Sequence, residues 1–99
     1  MLNAARVTPD TVPKCLKDWQ HIWIKDCVPQ TFYQYPYASK WIGMNTLSID
    51  PDTVIVDAAQ TEIIATLEKH KFTVIPHTLR HSRTLGGGFH CVTLDTWRE

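Results

Sequence analysis

The chain has 99 residues and a mass of 11.4 kDa, which limits it to one small domain over residues 1–99. Ten basic and ten acidic residues cancel, and this balance argues against a nucleic-acid-binding protein, whose domain would usually be strongly basic. No apolar run approaches the ~18 residues of a membrane span, so we expect no membrane association. Three cysteines far apart in the sequence favour reduced thiols and a cytoplasmic location over a disulfide framework.

The first half of the chain predicts a strand, a helix and a second strand. Residues 2–7 are typical of a short strand that ends at a turn cluster. Ile22-Trp23-Ile24 predicts a buried strand, and residues 27–37 predict a long aromatic loop that covers the core or an interface. Between them, apolar spacing predicts a helix that ends near Gln20 and has a buried face made of Val12, Cys15, Leu16 and Trp19.

The second half predicts two strands, a helix and two further strands. Asp50-Pro51-Asp52 suits a tight turn between the first two strands, and Asp57 can cap the helix. In chain order the elements are the strands Met44–Ile49 and Thr53–Val56, the helix from about Ala59 to His70, and the strands Phe72–Ile75 and Phe89–Leu94.

Both halves contain a helix that returns into a buried strand ending near a proline. This repetition indicates about one and a half to two copies of a ββαβ unit, and the fold class is α/β or α+β. A partial set of units leaves strand edges unpaired. We therefore expect a homo-oligomer or pairing with a complementing chain.

The segment Leu85-Gly86-Gly87-Gly88-Phe89-His90-Cys91 contains three of the chain's four glycines. Glycine permits positive φ and close backbone approach, so this loop can turn sharply and present Cys91 at the start of the last strand. A thiolate there could act as a nucleophile if a base or a positive group lowers its pKa. His90 would point to the opposite face of the strand. The residues alone leave open a core cysteine beside a simple bend.

Gly86-Gly87-Gly88-Phe89-His90-Cys91-Val92-Thr93-Leu94-Asp95 resembles the C-terminal signature of the arginine-dependent amidinotransferases, members of the pentein superfamily. Ser39-Lys40-Trp41-Ile42-Gly43-Met44-Asn45 resembles a second family segment, and the likeness covers roughly residues 19–95. The resemblance implies part of a propeller of five ββαβ units and no metal or organic cofactor. It also implies that Cys91 attacks the guanidinium carbon of arginine, that an acceptor amine then takes the amidino group, and that Ser39 contacts substrate. Ala38 departs from the family, which has a second serine there.

The family's general-base histidine, in a His-Ile-Asp segment, and its carboxylates lie upstream of the matched region. We therefore expect this chain to be the C-terminal portion of an amidinotransferase, with the nucleophile but without its base. Two alternatives stay open from the sequence. One is a non-catalytic remnant or subunit that folds by pairing with another chain, and the other is a guanidine hydrolase in which water replaces the acceptor amine.

Two further clusters near the C-terminus admit other interpretations. We interpret the basic loop Arg80-His81-Ser82-Arg83 as solvated surface rather than a nucleic-acid site. Pro76 and Thr78 disfavour the helix that a His-x-x-x-His metal motif needs, so we expect no metal site. The side chains considered for zinc are His77, His81, His90 and Cys91.

Overall fold

The computed structural model describes residues 1–29 and 37–97, and within them the chain forms two small sheets and one α-helix. The elements are β1 (Leu2–Asn3), β2 (Trp23–Ile24), β3 (Leu47–Ser48), β4 (Thr53–Asp57), α1 (Thr61–Lys69) and β5 (Thr73–His77). Short 3₁₀ helices span Pro9–Thr11, Lys14–Leu16, Lys40–Met44 and Ser82–Leu85. This mixture confirms the predicted α/β class. None of these helices is long and apolar enough to cross a membrane.

The second sheet contains the predicted ββαβ unit. β3 and β4 are antiparallel, and β4 and β5 are parallel in a register that runs from Thr53 opposite Thr73 to Asp57 opposite His77. The carboxyl ends of the two parallel strands therefore lie side by side. At the predicted turn, the N–H groups of Asp52 and Thr53 donate to Asp50 Oδ1 at 2.8 and 2.7 Å, and these bonds lower the pKa of Asp50.

One hydrophobic core joins the two sheets. Ile24 of β2 and Ile63 of α1 are fully buried, and full burial of such a side chain stabilises a fold by about 1.5–3 kcal/mol. β1 pairs in parallel with β2, so the N-terminal sheet packs against the same core as the ββαβ unit. The core consists of Ile22, Ile24, Cys27, Val54, Val56, Ile63 and Leu67.

The prediction of a helix from Val12 to Gln20 is wrong. The chain instead makes two separate 3₁₀ turns, because Val12 precedes Pro13 and is extended, with a ψ of 127°. The helical segment that remains after Pro13 is too short to be stable as an α-helix. Val12 is buried, but Cys15 and Trp19 are exposed, so Cys15 is not the core residue that its spacing predicted.

Two strand boundaries also differ from prediction. β1 ends at Asn3, because Asn3 O accepts hydrogen bonds from the N–H groups of Arg6 and Val7 and thus starts a turn. β5 continues through Pro76 to His77. Proline is tolerated there because, among the described residues, β5 pairs with a strand on one side only. Most of the predicted aromatic loop, residues 30–36, lies outside the described residues.

The helix α1 begins two residues later than predicted. Asp57 Oδ1 accepts from the N–H of Ala59 at 3.1 Å, so Asp57 caps the turn that leads into the helix, and Gln60 is the N-cap residue. The helix ends in a Schellman arrangement. The N–H of Phe72 donates to Leu67 O and that of Lys71 to Glu68 O, with Lys71 in the left-handed region at a φ of 69°.

Replacing Lys71 by glycine is expected to stabilise the chain. Glycine adopts positive φ without steric cost, and Lys71→Gly should raise the free energy of unfolding by roughly 0.5–1 kcal/mol. Urea denaturation followed by circular dichroism measures the change. Lys69→Gly, the same substitution inside the helix, is the control and should lower stability by about 1 kcal/mol. An equal loss in both variants would contradict the assigned helix end.

Candidate active site

Cys91 lies in a tight turn rather than in a strand. The predicted final strand Phe89–Leu94 is not formed, and the turn closes where the N–H and hydroxyl of Thr93 donate to His90 O at 3.2 and 2.9 Å. No strand forms here because the N–H groups of Phe89 and Cys91 both donate to a single residue, Asn45. The expected opposition of His90 and Cys91 across a strand therefore does not apply.

The turn presents the thiol of Cys91 to the surface. Cys91 is an exposed free cysteine, as is Cys15, whereas Cys27 is buried in the core. Phe89, two residues earlier, is 7% exposed, so the apolar side chain anchors the turn. The core-cysteine alternative therefore does not hold for Cys91. In the described part of the chain, this thiol is open to a reagent or to another part of a protein.

Asn45 binds the turn through both its side chain and its main chain. The N–H of Cys91 donates to Asn45 Oδ1 at 3.2 Å, and the N–H of Phe89 donates to Asn45 O at 3.0 Å. Gly88 is needed for this approach, because a Cβ at position 88 would lie 2.5 Å from both Cβ and Oδ1 of Asn45. Gly86, with a φ of 86°, supplies the left-handed bend before it.

Ser39 lies at the other end of the segment that Asn45 terminates. It is the N-cap of the 3₁₀ helix Lys40–Met44, with its Oγ accepting from the N–H of Trp41 at 3.2 Å, and Asn45 is the C-cap. At about 2 Å of rise per residue, the two caps are ~12 Å apart along the helix. The N–H of Tyr37 also donates to Thr84 O at 3.2 Å, so residues 37–45 run beside residues 84–91.

Gln60 fixes the middle of the same helix, and sequence reasoning did not identify it. It is 1% exposed; its Nε2 donates to Val28 O and its Oε1 accepts from the N–H of Val28, both at 2.8 Å. A Cβ at Gly43 would lie 2.5 Å from Gln60 Cδ. The glycine within Trp41-Ile42-Gly43-Met44 was the available signal, since a glycine inside a helix often marks a close approach.

One exposed ion pair lies next to Ser39. Lys40 Nζ donates to Asp26 Oδ1 at 2.6 Å and lies 5.4 Å from the centre of the Trp41 ring. The Lys40 hydrogen bond, and then that from the N–H of Cys27, lower the pKa of Asp26. Because both partners are exposed, the pair orients the two segments more than it stabilises them.

The ends of the parallel strands approach the same turn. The ring of His77, at the end of β5, lies 6.2 Å from that of Phe89 in a tilted arrangement. His77 O accepts from the N–H of Ala58 at 3.0 Å, next to the buried Asp57. Ligands of open parallel sheets usually bind at this carboxyl edge. Sequence reasoning considered His77 for zinc only, yet its side chain contacts the turn that carries Cys91.

The histidine and cysteine side chains do not converge on a metal site. Over residues 1–29 and 37–97, no group of three or more His, Cys, Asp or Glu side chains is placed to hold an ion. The side chain of Arg83, which was assigned to the basic loop, lies outside the described residues.

Two clefts among the described residues are lined by neither Cys91 nor Ser39. A cleft of about 260 Å³ lies beside the Gln60 contact and is lined by Asp26, Cys27, Val28, Pro29, Gln60, Thr61 and Glu62. An apolar cleft of about 180 Å³ lies near the N-terminus and is lined by Met1, Leu2, Val12, Leu16, Trp19, Gln20 and His21. The connection between Ser39 and the turn that carries Cys91 therefore runs through the 3₁₀ helix and Asn45.

The sequence of this chain is similar to a segment of known amidinotransferases. No protein-family model matches the sequence. The chain is 48% identical over 99 residues to inosamine-phosphate amidinotransferase 1 of Streptomyces glaucescens, covering 99% of this chain and 28% of the relative. It is 46% identical over 62 residues to mitochondrial glycine amidinotransferase of Xenopus tropicalis, covering 63% of this chain and 15% of the relative.

The fold gives the same result. The solved structure of an inosamine-phosphate amidinotransferase from Streptomyces griseus superposes with a TM-score of 0.87 at 46% identity, over 97% of this chain and 28% of that one. An amidinotransferase from Microseira wollei also superposes with a TM-score of 0.87, at 32% identity, over 98% of this chain and 28% of that one. In sequence and in fold, the chain matches a segment of these amidinotransferases that spans 28% of their length. The resemblance predicted from the glycine–cysteine and Ser-Lys-Trp segments is confirmed, and the mixed α/β fold is consistent with part of a pentein propeller.

The contact between Gly43 and Gln60 in this amidinotransferase segment can be tested with a double-mutant cycle. Gly43→Ala should lower the free energy of unfolding by roughly 1–3 kcal/mol, because the added methyl group collides with the Gln60 amide. In a Gln60→Ala background the colliding atoms are absent. The same change should then cost at least ~1 kcal/mol less, measured by urea unfolding.

Gly86→Ala is the matched control for this cycle. Its cost arises from positive φ and not from a neighbour, since a Cβ there meets nothing within 4 Å. The cost should therefore be equal in both backgrounds. If Gly43→Ala lowers the free energy of unfolding equally in the parent and in the Gln60→Ala background, the close contact with Gln60 does not constrain the helix.

Proposed function

We propose that this segment supplies Cys91 as the nucleophile of an amidinotransferase that transfers the amidino group of arginine to an acceptor amine. The observation that carries the proposal is the exposed Cys91 thiol, held on a hydrogen-bonded turn at the end of a glycine loop, in a chain that is 48% identical to an amidinotransferase. The chain spans 28% of that relative. The complete reaction and its substrates are therefore part of the proposal.

The proposed chemistry has two steps. The Cys91 thiolate attacks the central guanidinium carbon Cζ, the bond from Cζ to Nε of arginine breaks, and ornithine leaves after that nitrogen gains a proton. The acceptor amine then attacks the amidino carbon of the covalent intermediate, loses a proton, and expels the thiolate. Division of one difficult transfer into two easier ones is the usual benefit of a covalent intermediate.

Ser39 is proposed as a substrate contact. It is exposed, and because its Oγ accepts from the N–H of Trp41, the hydroxyl proton stays available for donation to a substrate oxygen. The neighbouring Lys40 is held by the carboxylate of Asp26, so the free donor at this position is the Ser39 hydroxyl. This arrangement suits the carboxylate of an amino-acid substrate such as arginine.

The segment is proposed to act together with the remainder of an amidinotransferase. Proton transfer at the leaving and attacking amines requires a general base, and the sequence contains no His-Ile-Asp segment of the family type. We propose that the base and the guanidinium-binding carboxylates come from the rest of the enzyme or from a complementing chain. The acceptor amine, homo-oligomer formation and the cytoplasmic location stay predictions.

A chimeric enzyme tests the function. Residues 1–99 replace the matching segment of the Streptomyces griseus inosamine-phosphate amidinotransferase, and ornithine release from arginine is measured with and without an acceptor amine. We expect arginine-dependent ornithine formation that requires the acceptor and falls by at least about 10³-fold in Cys91→Ser, because the alcohol is a much weaker nucleophile.

Cys15→Ser is the matched control, since Cys15 is also exposed but lies far from the glycine loop in sequence. It should leave ornithine release unchanged. A folded chimera that remains active as Cys91→Ser would refute the role of Cys91. Ornithine release at the same rate without any acceptor would instead indicate hydrolysis by water.

A further inference from the structure

We propose that Asn45 is a positioning residue for Cys91, whose side-chain amide fixes the main chain at the cysteine and so sets where the thiol meets a bound guanidinium. The inference rests on the proposed function of Cys91 as the nucleophile. It adds a residue 46 positions away in sequence that need not touch the substrate.

The contact reaches the cysteine itself. Asn45 Oδ1 accepts from the N–H of Cys91, and Asn45 O accepts from the N–H of Phe89, so one residue holds the turn on both sides of His90. By contrast, the ring contact between His77 and Phe89 holds only the beginning of the turn. Without the Asn45 side chain, the exposed Cys91 loses the hydrogen bond that holds its own amide.

The glycine before the turn fits this role. A side chain at Gly88 would displace the Asn45 amide, since even a Cβ would lie 2.5 Å from Asn45 Oδ1. Gly88 is buried, so the collision could not be relieved toward solvent. We infer that the requirement for glycine at position 88 is contact with Asn45, in addition to flexibility of the loop.

Asn45 is in turn fixed by the helix that Ser39 begins. The N–H of Asn45 donates to Ile42 O at 2.9 Å, and the helix is held at Gly43 by the buried Gln60. One short rigid element therefore connects the proposed substrate contact to the proposed nucleophile. An error of about 1 Å in such a placement can lower a rate by about 100-fold, so the connection has catalytic consequences.

A neutral amide suits this position better than a carboxylate. Aspartate could accept the same hydrogen bond from the N–H of Cys91, but it would place a negative charge beside the thiol. A nearby like charge disfavours the thiolate and raises the thiol pKa. Asn45→Asp keeps the oxygen that accepts from the N–H of Cys91 and adds only a negative charge. It therefore separates the effect of charge on the thiol from the effect of the hydrogen bond on the position of the thiol.

The first experiment measures the thiol in the 99-residue chain. The rate of Cys91 alkylation by iodoacetamide is followed against pH by peptide mass spectrometry, with Cys15 as the internal reference. We expect Asn45→Asp to move the Cys91 profile to higher pH by roughly 0.5–1 unit and to leave the Cys15 profile in place. An unmoved Cys91 profile would show that the side chain at position 45 does not lie near the thiol, which would overturn the proposal.

The second experiment measures geometry in the chimeric enzyme. Asn45→Ala should lower kcat about 10–100-fold and change KM for arginine by less than about threefold, since it misplaces the nucleophile and not the substrate. Asn3→Ala is the matched control, because Asn3 is the chain's only other asparagine. Its Oδ1 also accepts a main-chain hydrogen bond, from the N–H of Ala5 at 2.9 Å. We expect kcat of Asn3→Ala to equal that of the parent chimera.

The outcomes separate this inference from the proposed function. If Asn45→Ala leaves kcat unchanged while Cys91→Ser abolishes transfer, Cys91 is the nucleophile and Asn45 does not position it. If Cys91→Ser stays active, the proposed function fails, whatever the Asn45 variants do. If Asn45→Ala fails to fold, kcat of Asn45→Asp decides, measured at a pH above the shifted Cys91 alkylation profile. A kcat that recovers to the parent value supports the positioning role, and a kcat that stays low contradicts it.

Discussion

Two side-chain amides bound to main-chain groups hold this segment together at its candidate site. Gln60 accepts from and donates to Val28, and Asn45 accepts from Cys91, in each case across more than 30 residues of sequence. Each amide also lies against a glycine, Gly43 or Gly88, where no larger residue fits. Such bonds are individually modest, but loss of the Val28 partner would leave the buried Gln60 amide unsatisfied.

The 3₁₀ helix Lys40–Met44 lies between these two contacts and connects the buried core to the exposed turn that carries Cys91. Gln60 is anchored at the start of α1, whose buried side chains pack against β2 and β4. Asn45 extends the same rigidity to a turn whose following residues, Val92 and Leu94, are exposed. The proposed nucleophile thus belongs to an exposed turn that is positioned by a buried framework. Exposed thiol chemistry and fixed geometry are both required for covalent catalysis.

Local patterns predicted the elements that depend on local physics. The hairpin at Asp50 and the helix α1 followed from turn chemistry and apolar periodicity, and both are present. The helix predicted from Val12 fails because the residue before a proline avoids helical ψ, a local rule that outweighed the periodicity. The strand predicted over Phe89–Leu94 fails for a non-local reason, since its N–H groups bind Asn45. Sequence similarity identified the family and proposed Cys91 and Ser39, but it could not reveal the residues that connect them.

Hydrogen exchange of individual main-chain amides, resolved by nuclear magnetic resonance in the 99-residue chain, tests the central claim most directly. The amides of Val28 and Cys91 should exchange at least about tenfold more slowly than in an unfolded chain, as hydrogen bonds of about 1.4 kcal/mol require. Asn45→Ala should remove the protection at Cys91 and leave that at Val28, and Gln60→Ala should remove it at Val28. Unprotected exchange of both amides in the parent chain would contradict the account.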